Sequence, residues 1–335
     1  MSNSGSSAAG ARGQAAHGFF LGLQDEITRS LASLNGGDAF KQDEWTRSGG
    51  GGGRSAVLLD GALFEKAGVN VSCVHGDLSE SFARDLPGSE NDRRFFATGI
   101  SLVLHPRSAH VPTVHANFRY IERGREPEVA WFGGGADLTP WVLYEEDAEH
   151  FHGTWAEVCR RHAVVEYAQL KAACDRYFYL PHRGEARGIG GIFFDHLGLG
   201  GPPGGTTDLD AVGAFVRDAA AQFLESYLPI VERRRHLATT DDERAWQLKR
   251  RGRYVEFNLL HDRGTIFGLR TNGRIESILM SLPPLVSWGY GDEPAPGTYQ
   301  ERLVEVLRHP RSWIVRDDLD PSPDNNGGGN AMGRP

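Results

Sequence analysis

Two neighbouring segments, TGISLVLH at residues 98–105 and VPTVHANFRYI at residues 111–121, carry the pattern from which the fold is built. Both are rich in β-branched and apolar residues and alternate in polarity, as strands do. Because successive strand residues point to opposite faces, His115, Asn117 and Arg119 share one face of the second strand. The sequence therefore predicts two strands, and the second presents a base, an amide and a cation together.

The first of these strands is similar, because Ser101, Val103 and His105 share a face by the same alternation. Two interpretations of this polar face are open from the pattern alone. It is either the solvated face of an ordinary antiparallel sheet or a platform for a ligand.

Further elements extend the pattern in both directions. The sequence predicts helices over residues 18–34, 140–179 and 208–235, and strands over residues 129–132, 253–260, 265–271 and 274–282. An Asn272-Gly273 turn between two apolar runs predicts that the last two strands form a hairpin. Grouped strands separated by groups of helices indicate an α+β fold built on a mostly antiparallel sheet.

Composition limits the class of protein. The chain has 335 residues, of which 39% are hydrophobic and 24% charged, and its net charge is −8. These values are typical of a globular protein and argue against a general nucleic-acid binder, and no apolar run predicts a membrane span. We expect residues 17–316 to form a single catalytic domain, with disordered tails at residues 1–16 and 317–335.

The three cysteines, Cys73, Cys159 and Cys174, lie far apart. Without a Cys-x-x-Cys pair, they exclude a zinc ribbon or an iron–sulfur cluster bound by closely spaced thiolates. So few cysteines fit a reducing compartment, and no secretory signal is recognisable at the N-terminus. We therefore expect the protein in the cytoplasm, with the mitochondrial intermembrane space as the alternative.

A glycine run, Gly133 to Gly135, precedes Asp137. One interpretation is that the glycines let the backbone pass close to a flat ligand, with the carboxylate at the mouth of the turn. The other is a loop whose Asp137 caps the next helix. No Gly-Lys-Ser/Thr follows, so a phosphate-binding loop is not indicated.

Histidines and arginines suggest two further kinds of site. His150 and His152 are two apart on a predicted helix and point in nearly opposite directions, so both cannot bind one metal ion. Arginines cluster at residues 183–187, 233–235 and 250–253, with Arg274 after the predicted turn. They are either solvated and ion-paired, or they bind a polycarboxylate ligand.

Seven segments together identify the chain as similar to the oxygen-dependent coproporphyrinogen III oxidase family. They are WTRSGGGGGRS (45–55), GVNVSCVHG (68–76), SLVLHPRSAHVPTVHANFRYIE (101–122), WFGGGADLTP (131–140), EEDAEHFH (145–152), HRGEARGIGGIFFD (182–195) and RRGRYVEFNLLHDRGTIFGLRTNGRIESILMSLPP (250–284). The similarity extends from about His17 to about Trp313 in one register.

The resemblance implies a large, mostly antiparallel sheet flanked on both sides by helices, and a homodimer. It also implies the reaction: two propionates of coproporphyrinogen III become vinyl groups, giving protoporphyrinogen IX, while O2 is reduced to peroxide. No organic cofactor is implied, and a divalent metal is implied only for some relatives.

Site residues follow by position from the same resemblance. It implies catalytic roles for His115 as proton donor, for Asp137 as the carboxylate facing the pyrrole nitrogens, and for Arg119 beside them. The implied substrate-binding residues are Ser101, Asn117, Arg119, Asn272, Gly273 and Arg274. A metal set of His105, His115, His152 and His182 is implied by bacterial relatives, and the segment from Tyr254 through the Asn-Gly turn matches a dimer contact.

Two positions depart from the family pattern, with His196 in place of an acidic residue after Asp195 and Gly289 in place of one after Trp288. Two other functions are compatible with the same residues. One is a tetrapyrrole-binding protein without catalysis, and the other is a histidine–metal oxygenase acting on a different acidic aromatic substrate.

Overall fold

A computed structural model describes residues 10–37, 39–88, 92–124, 129–200, 205–270, 273–291 and 293–314. The strands are β1 (Lys41–Thr46), β2 (Gly51–Leu59), β3 (Phe64–Asp77), β4 (Arg94–Pro106), β5 (Thr113–Arg123), β6 (Val129–Thr139), β7 (Tyr179–Leu180), β8 (Glu185–Ala186) and β9 (Gly190–Leu197). The helices are α1 (Ala11–Leu34), α2 (Glu80–Asp85), α3 (Glu145–Arg160), α4 (Tyr167–Tyr177), α5 (Leu209–Ala221), α6 (Phe223–Arg234), α7 (Asp241–Leu260), α8 (Arg263–Arg270), α9 (Ile275–Leu279) and α10 (Tyr299–Arg308).

Seven strands form one antiparallel sheet in the order β1-β2-β3-β4-β5-β6-β9, and β7 and β8 form a separate short pair. The strands of the large sheet lie side by side in the order in which they occur along the chain. Helix α2 comes between β3 and β4, and α3, α4 and the short pair come between β6 and β9. Helices lie on both sides of the sheet, as expected.

One face of the sheet carries the hydrophobic core. Ala116, Phe118 and Tyr120, the residues of β5 that alternate with the polar ones, are all buried there. Helix α1 packs across β3, β4 and β5, while α5 packs on β6. Aromatic side chains join the layers, since the ring of Phe194 lies 5.3 Å from that of Phe215 on α5. Burial of this face orients the sheet and directs the polar residues of β5 to the other side.

The other face is covered by the helices of the last third of the chain. Ser55 of β2 shares a 2.8 Å hydrogen bond with Ser277 of α9, and Lys66 of β3 donates to the carbonyl of Leu279. Nearer the other edge, the ring of Phe178, just after α4, lies 5.3 Å from that of Phe257 on α7. A space is left between these helices and the sheet.

The predicted hairpin of the last third is wrong. Residues 253–260 belong to α7, residues 265–270 to α8 and residues 275–279 to α9; Thr271 and Asn272 lie outside the described residues. Helix α7 begins with a capping box, in which Thr240 and Glu243 bond to each other's backbone N–H. Local alternation was misleading because the buried side of α7 is broad and includes polar residues.

The glycine run also differs from its prediction, because β6 continues through Gly133–Gly135 and includes Asp137. A Cβ on Gly135 would lie 2.3 Å from the carbonyl oxygen of Ile192, and one on Gly133 would lie 2.7 Å from Nε of Arg119. The glycines therefore allow close approach to β9 and leave room for the Arg119 side chain.

The predicted N-terminal tail is shorter than expected, because α1 begins at Ala11 and residues 11–16 are helical. The rest of that tail and residues 317–335 lie outside the described residues. Among the helices that the structure describes, none has the length and apolar character needed to cross a membrane.

Candidate active site

A row of small polar residues crosses the open face of the sheet. The strand register pairs Ser55 with Asn70, Asn70 with Ser101, and Ser101 with Asn117, which in turn pairs with Gly135. Ser101 and Asn117 were predicted from strand alternation, whereas Asn70 was not singled out. Asn70 joins the row because β3 pairs with β4 in a register that places it opposite Ser101. No pattern in the sequence around Asn70 indicates this.

This row lies beneath a cavity of about 490 Å³, here called the central cavity. Its sheet side includes Asn70, Ser101, His115, Asn117, Arg119, Gly134 and Gly135; its helical side includes Tyr177, Phe178, Asn258, Asp262, Thr265, Gly273, Arg274, Ser277, Ile278 and Met280. The cavity therefore lies between two sets of elements. On one side are the strands whose polar face was predicted as a possible ligand platform, and on the other are mainly the helices of the last third, which had been predicted as strands.

Asp137 lies below the cavity and is only 1% exposed. Its Oδ1 accepts hydrogen bonds from His115 Nδ1 at 2.8 Å and from Arg187 Nη2 at 2.7 Å, and its Oδ2 accepts from Arg187 Nε at 3.0 Å. Burial by itself would raise the pKa of this carboxyl, but the charge of Arg187 and the bond from His115 outweigh burial and lower it. The group is therefore held as a carboxylate.

Arg187, which sequence reasoning did not assign to the site, is the central cation of this arrangement. Its Nη1 donates to Asn258 on α7 at 2.6 Å, and its guanidinium lies 4.1 Å from the ring centroid of Phe178 and 4.5 Å from that of Tyr254. Burial alone would lower the pKa of Arg187, but attraction to Asp137 outweighs it and raises the pKa. Arg187 follows β8 directly, and sequence analysis included it only in the arginine cluster at residues 183–187, since no local pattern connects it to Asp137.

His115 connects the buried ion pair to the cavity. It pairs with Asp137 across strands β5 and β6, and its side chain is 20% exposed and lines the cavity. Because Asp137 accepts a hydrogen bond from Nδ1–H, the neutral imidazole carries its proton on Nδ1. Nε2 is then the nitrogen that can accept a proton. The imidazole is thus oriented for proton exchange at Nε2.

Arg119 is held by two partners at its side of the cavity. Its Nη1 donates to Asn117 Oδ1 at 3.2 Å, and its Nη2 lies 2.8 Å from Asp195 of β9. Burial would raise the pKa of Asp195, but Arg119 outweighs this and lowers it. Asp195 is therefore an ionised partner that orients the guanidinium of Arg119.

The charges around the central cavity favour an anionic ligand with an apolar body. Among its described lining residues, Arg47, Arg119, Arg187 and Arg274 carry positive charge, whereas Asp77 and Asp262 carry negative charge. The rings of Tyr177, Phe178 and Phe193 contribute flat apolar surface. Guanidinium groups bind carboxylates in two-point contacts, so a ring-shaped polycarboxylate suits these walls.

The sequence profile of the family described as coproporphyrinogen III oxidase matches residues 15–313. A chloroplastic oxygen-dependent coproporphyrinogen-III oxidase of Glycine max is 46% identical over 302 residues, which cover 87% of this chain and 77% of the relative. The oxygen-dependent coproporphyrinogen-III oxidase of a Prochlorococcus marinus strain is 44% identical over 321 residues, 90% of this chain and 92% of the relative. The chain belongs to the coproporphyrinogen III oxidase family.

The residues that the resemblance to coproporphyrinogen III oxidases implied are largely gathered in one place. Ser101, His115, Asn117, Arg119, Gly273 and Arg274 line the central cavity. Arg274 reaches it from the segment before α9, where it pairs with Asp43 and lies 3.4 Å from Glu276. Asn272 lies outside the described residues.

Asp137 is not among the residues that line the central cavity, whereas the family resemblance implied that its carboxylate faces the pyrrole nitrogens. Its Oδ1 accepts hydrogen bonds from His115 and Arg187, and its Oδ2 accepts one from Arg187. In this structure the carboxylate therefore orients His115, and its implied role toward the substrate stays a prediction.

The four histidines of the implied metal set do not fit a shared ion. His105 bonds to Thr113 and to the carbonyl of Ser281, and His152 bonds to Tyr167 and to the carbonyl of Ile189. His182 pairs with Glu256, while His115 pairs with Asp137. The described parts of the chain contain no group of three or more His, Cys, Asp or Glu side chains placed to hold a metal ion. The described residues therefore do not bring these four histidines together around one ion, and the metal set that the resemblance implies stays a prediction.

Burial lowers the pKa of the two most enclosed of these histidines, His105 and His152. Burial and the charge of Lys171 lower the pKa of His152 to about 3, and burial, with the charge of Arg251, lowers the pKa of His105 well below its ordinary value. Both rings are neutral and hydrogen-bonded within the protein. They join elements together, His105 linking β4 to the chain after α9 and His152 linking α3 to the chain before β9.

Proposed function

We propose that this protein catalyses the O2-dependent oxidative decarboxylation of two propionate groups of coproporphyrinogen III, giving protoporphyrinogen IX. For each propionic acid group, the bond to the carboxyl carbon breaks and releases carbon dioxide. One C–H bond breaks at the side-chain carbon attached to the pyrrole ring, and a vinyl double bond forms between the two remaining side-chain carbons. The two electrons and two protons released reduce O2 to hydrogen peroxide. The observation that carries the proposal is the cation-rich central cavity with His115 oriented by a buried Asp137–Arg187 pair.

Substrate recognition rests on charge and shape. We assign the arginines of the wall, Arg47, Arg119 and Arg274, to the propionates of the substrate, because guanidinium offers paired N–H donors to carboxylate. Ser101 and Asn117 offer polar contacts on the sheet side. Their place on β-strands supports precise positioning, since strands are more rigid than loops.

His115 is assigned to proton transfer at Nε2. Its Nδ1–H is held by Asp137, and this carboxylate stabilises the imidazolium that forms when Nε2 takes up a proton. Arg119, held by Asp195, is assigned to the reacting carboxylate or to the peroxide anion, which both carry negative charge. The charge of Arg187 lowers the pKa of Asp137 and so favours its ionised form.

The decisive experiment mixes the purified, chelator-treated protein with coproporphyrinogen III without oxygen and then admits air. We expect O2-dependent formation of protoporphyrinogen together with release of carbon dioxide. Tight binding without turnover, before and after divalent metal is added back, would identify a non-catalytic tetrapyrrole binder and contradict the proposal. Turnover that requires added metal would favour the metal-dependent alternative.

Arg274→Ala tests the assignment of that residue. If Arg274 only holds a propionate remote from the reacting one, we expect its loss to raise KM more than it lowers kcat. The matched control is Arg302→Ala, an exposed arginine on α10 outside the central cavity, which we expect to change neither constant. A fall in kcat with KM unchanged would contradict the assignment.

A cytoplasmic location, a homodimer and one catalytic domain over residues 17–316 also belong to this proposal. They follow from the sequence and the family resemblance, and each stays a prediction. A fluorescent fusion and cell fractionation test the location.

A further inference from the structure

A chain of hydrogen bonds runs across β1, β2 and β3 at one side of the central cavity. The indole Nε1 of Trp45 donates to Ser55 Oγ at 3.1 Å, and Ser55 Oγ donates to Oδ1 of Asn70 at 2.8 Å. From the helical side, Ser277 of α9 shares a 2.8 Å hydrogen bond with the same oxygen of Ser55. Because Ser55 gives its one hydrogen to Asn70, Ser277 is the donor in this last bond. The hydroxyl of Ser55 is therefore fully used within the chain.

This chain fixes the direction of the Asn70 amide. Its Oδ1 accepts from Ser55, so its Nδ2 points away from Ser55. Among the described residues Nδ2 has no acceptor, yet it is not one of their buried unpartnered atoms, and Asn70 lines the central cavity. An amide NH2 group carries two donors, and the described part of the chain uses neither. Asn70 therefore offers oriented N–H donors to whatever occupies the cavity.

Trp45 is held in place by the glycine run of β2. It lies opposite Gly53 across β1 and β2, and a Cβ on Gly53 would lie 2.4 Å from Cζ2 of the indole. Any larger residue at position 53 would displace the ring. Lying over β2, the indole keeps Nε1 within reach of Ser55 and lines the central cavity. The glycine at position 53 thus supports the orientation of Asn70 through Trp45.

A cation lies near the donors of Asn70. Arg274 pairs with Asp43, which lies opposite Ser55, and Ser55 in turn lies opposite Asn70. Paired residues share a face of the sheet, and two strand spacings, about 10 Å, separate Asp43 from Asn70. Asp43 and Glu276, the partners of Arg274, are 45% and 76% exposed, so these ion pairs are weak competitors for a ligand. Arg274 and Asn70 therefore flank the same end of the central cavity.

We propose that Asn70 is a further substrate-binding residue, whose Nδ2 donates to the propionate carboxylate that Arg274 also binds. Trp45, Ser55 and Ser277 are positioning residues, because their hydrogen bonds direct the amide of Asn70. The inference rests on the proposed function, since it names another contact to the same tetrapyrrole substrate, but it concerns binding rather than the chemical step. Hydrogen bonds to an ionised oxygen are shorter and stronger than those between neutral groups.

The test measures binding apart from turnover. Equilibrium dialysis of the full-length protein against coproporphyrinogen III without oxygen gives the dissociation constant, with bound substrate read as porphyrin after oxidation. We expect Asn70→Ala to bind about tenfold more weakly, because a hydrogen bond to a charged group is lost. Asn70→Asp replaces the N–H donors with a carboxylate, and we expect it to bind more weakly still.

Gln42→Ala is the matched control, because Gln42 is an exposed amide residue of β1 that does not line the central cavity. We expect it to bind as the parent protein does. Parent-like affinity in folded Asn70→Ala and Asn70→Asp proteins would overturn the inference. A parent protein that binds the substrate but does not convert it in air would refute the proposed catalysis, while weaker binding by the Asn70 variants would still support this inference. Failure of the parent protein to bind would refute both.

A double-variant cycle tests whether Asn70 and Arg274 hold the same carboxylate. If they do, the loss of affinity in the double variant Asn70→Ala/Arg274→Ala is smaller than the product of the two single losses. Losses that multiply would assign the two residues to different groups of the substrate and refute the shared carboxylate.

Ser55→Ala tests the positioning chain and keeps the inference testable if the Asn70 variants do not fold. Ser55 is not among the residues that line the central cavity, so its hydroxyl acts on a ligand only through Asn70. We expect a several-fold rise in KM with kcat nearly unchanged, and recovery of the parent KM in Ser55→Thr, which keeps the hydroxyl. An unchanged KM in a folded Ser55→Ala protein would refute the positioning role.

Discussion

At the scale of single residues, the buried pair of Asp137 and Arg187 dominates the candidate active site. The two side chains are 1% and 2% exposed, and no water-facing surface compensates either charge. Each buried charge is stabilised by the other, because an unpaired charge in the interior is strongly destabilising. Since Asp137 also accepts the hydrogen bond that orients His115, the orientation of His115 depends on this pair. The ion pair thus links the stability of the fold to the chemistry of the cavity.

Asp137→Asn is therefore expected to lower both stability and activity. The variant leaves Arg187 charged and buried without its counter-ion, and we expect the free energy of unfolding at neutral pH to fall by about 3 kcal/mol. We also expect most turnover to be lost. Urea denaturation and steady-state kinetics measure the two effects, with Asp210→Asn, on an exposed surface pair, as the control that leaves both unchanged.

The pH dependence of this difference follows from the lowered pKa of Asp137. A carboxyl whose folded-state pKa is depressed stabilises the protein above its ordinary value of 3.8, and this contribution is lost as pH falls through the folded-state pKa. We expect the gap between the parent protein and Asp137→Asn to narrow in acid. A gap of constant size down to the acid transition would show that Asp137 is not ionised in the folded protein.

At the scale of elements, α7 carries three functional side chains along one side. Arg250, Tyr254 and Asn258 follow one another at intervals of four residues, which a helix places on the same face. Asn258 lines the central cavity, Tyr254 packs on Arg187, and Arg250 pairs with Glu185. The helix therefore links the central cavity to an ion pair about two turns away.

The capping box at the start of α7 is expected to matter for stability. Thr240→Ala removes the hydroxyl that accepts from the N–H of Glu243, and we expect a loss of about 1 kcal/mol in the free energy of unfolding. Thr240→Ser keeps the hydroxyl and serves as the matched control. If both variants unfold at the same denaturant concentration as the parent, the cap contributes nothing.

Glu256 of α7 holds the turn between β7 and β8 against the segment after α9. Burial would raise the pKa of this carboxyl, but hydrogen bonds from Arg183, His182 and Trp288 lower it to about 2. The contribution of Glu256 to stability is therefore complete above its ordinary pKa of 4.5 and is lost as pH falls towards about 2.

Glu256→Gln tests this dependence through thermal unfolding at steps of pH. We expect the variant to melt below the parent protein at neutral pH and the two curves to converge as pH falls below 4.5. Glu305→Gln, a substitution on the exposed side of α10, is the control. Divergence of the two curves in acid would contradict the assigned direction of the pKa shift.

At the scale of the whole molecule, large apolar side chains remain exposed on α7, on α9 and in the segment after α9. Leu260 is 60% exposed, Ile275 48% and Leu285 56%. Leu260 lies within the segment for which the family resemblance implies a dimer contact, and Ile275 lies just after it. We therefore expect sedimentation equilibrium to give about twice the chain mass of 36.8 kDa.

Leu260→Asp is expected to produce monomers, because a carboxylate in an apolar interface loses its water without gaining a partner. Leu59→Asp, at a residue of β2 that is 66% exposed, is the control for introducing a charge at an apolar surface position. A monomeric parent protein at micromolar concentration, or a Leu260→Asp dimer of unchanged affinity, would refute this contact.

Much of the fold and of the site follows from the sequence by itself. Alternation in β4 and β5 placed Ser101, His115, Asn117 and Arg119 on one face, because a strand repeats every two residues whatever surrounds it. The long motifs, in register over nearly the whole chain, determined the family. These are local or cumulative signals that need no knowledge of packing.

Other features were decided only by the tertiary structure. Residues 253–260, 265–270 and 275–279 alternate in polarity but lie in helices, since burial against the sheet outweighs a local preference. Arg187 meets Asp137 across 50 residues of sequence, and this contact, which the position of Asp137 after a glycine run did not predict, holds the carboxylate in a buried ion pair. The four histidines became separate hydrogen-bonding groups for the same reason. Sequence determines which face a side chain occupies on its own element, whereas the charge and space that it meets depend on chain segments far away, which come together only when the core is buried.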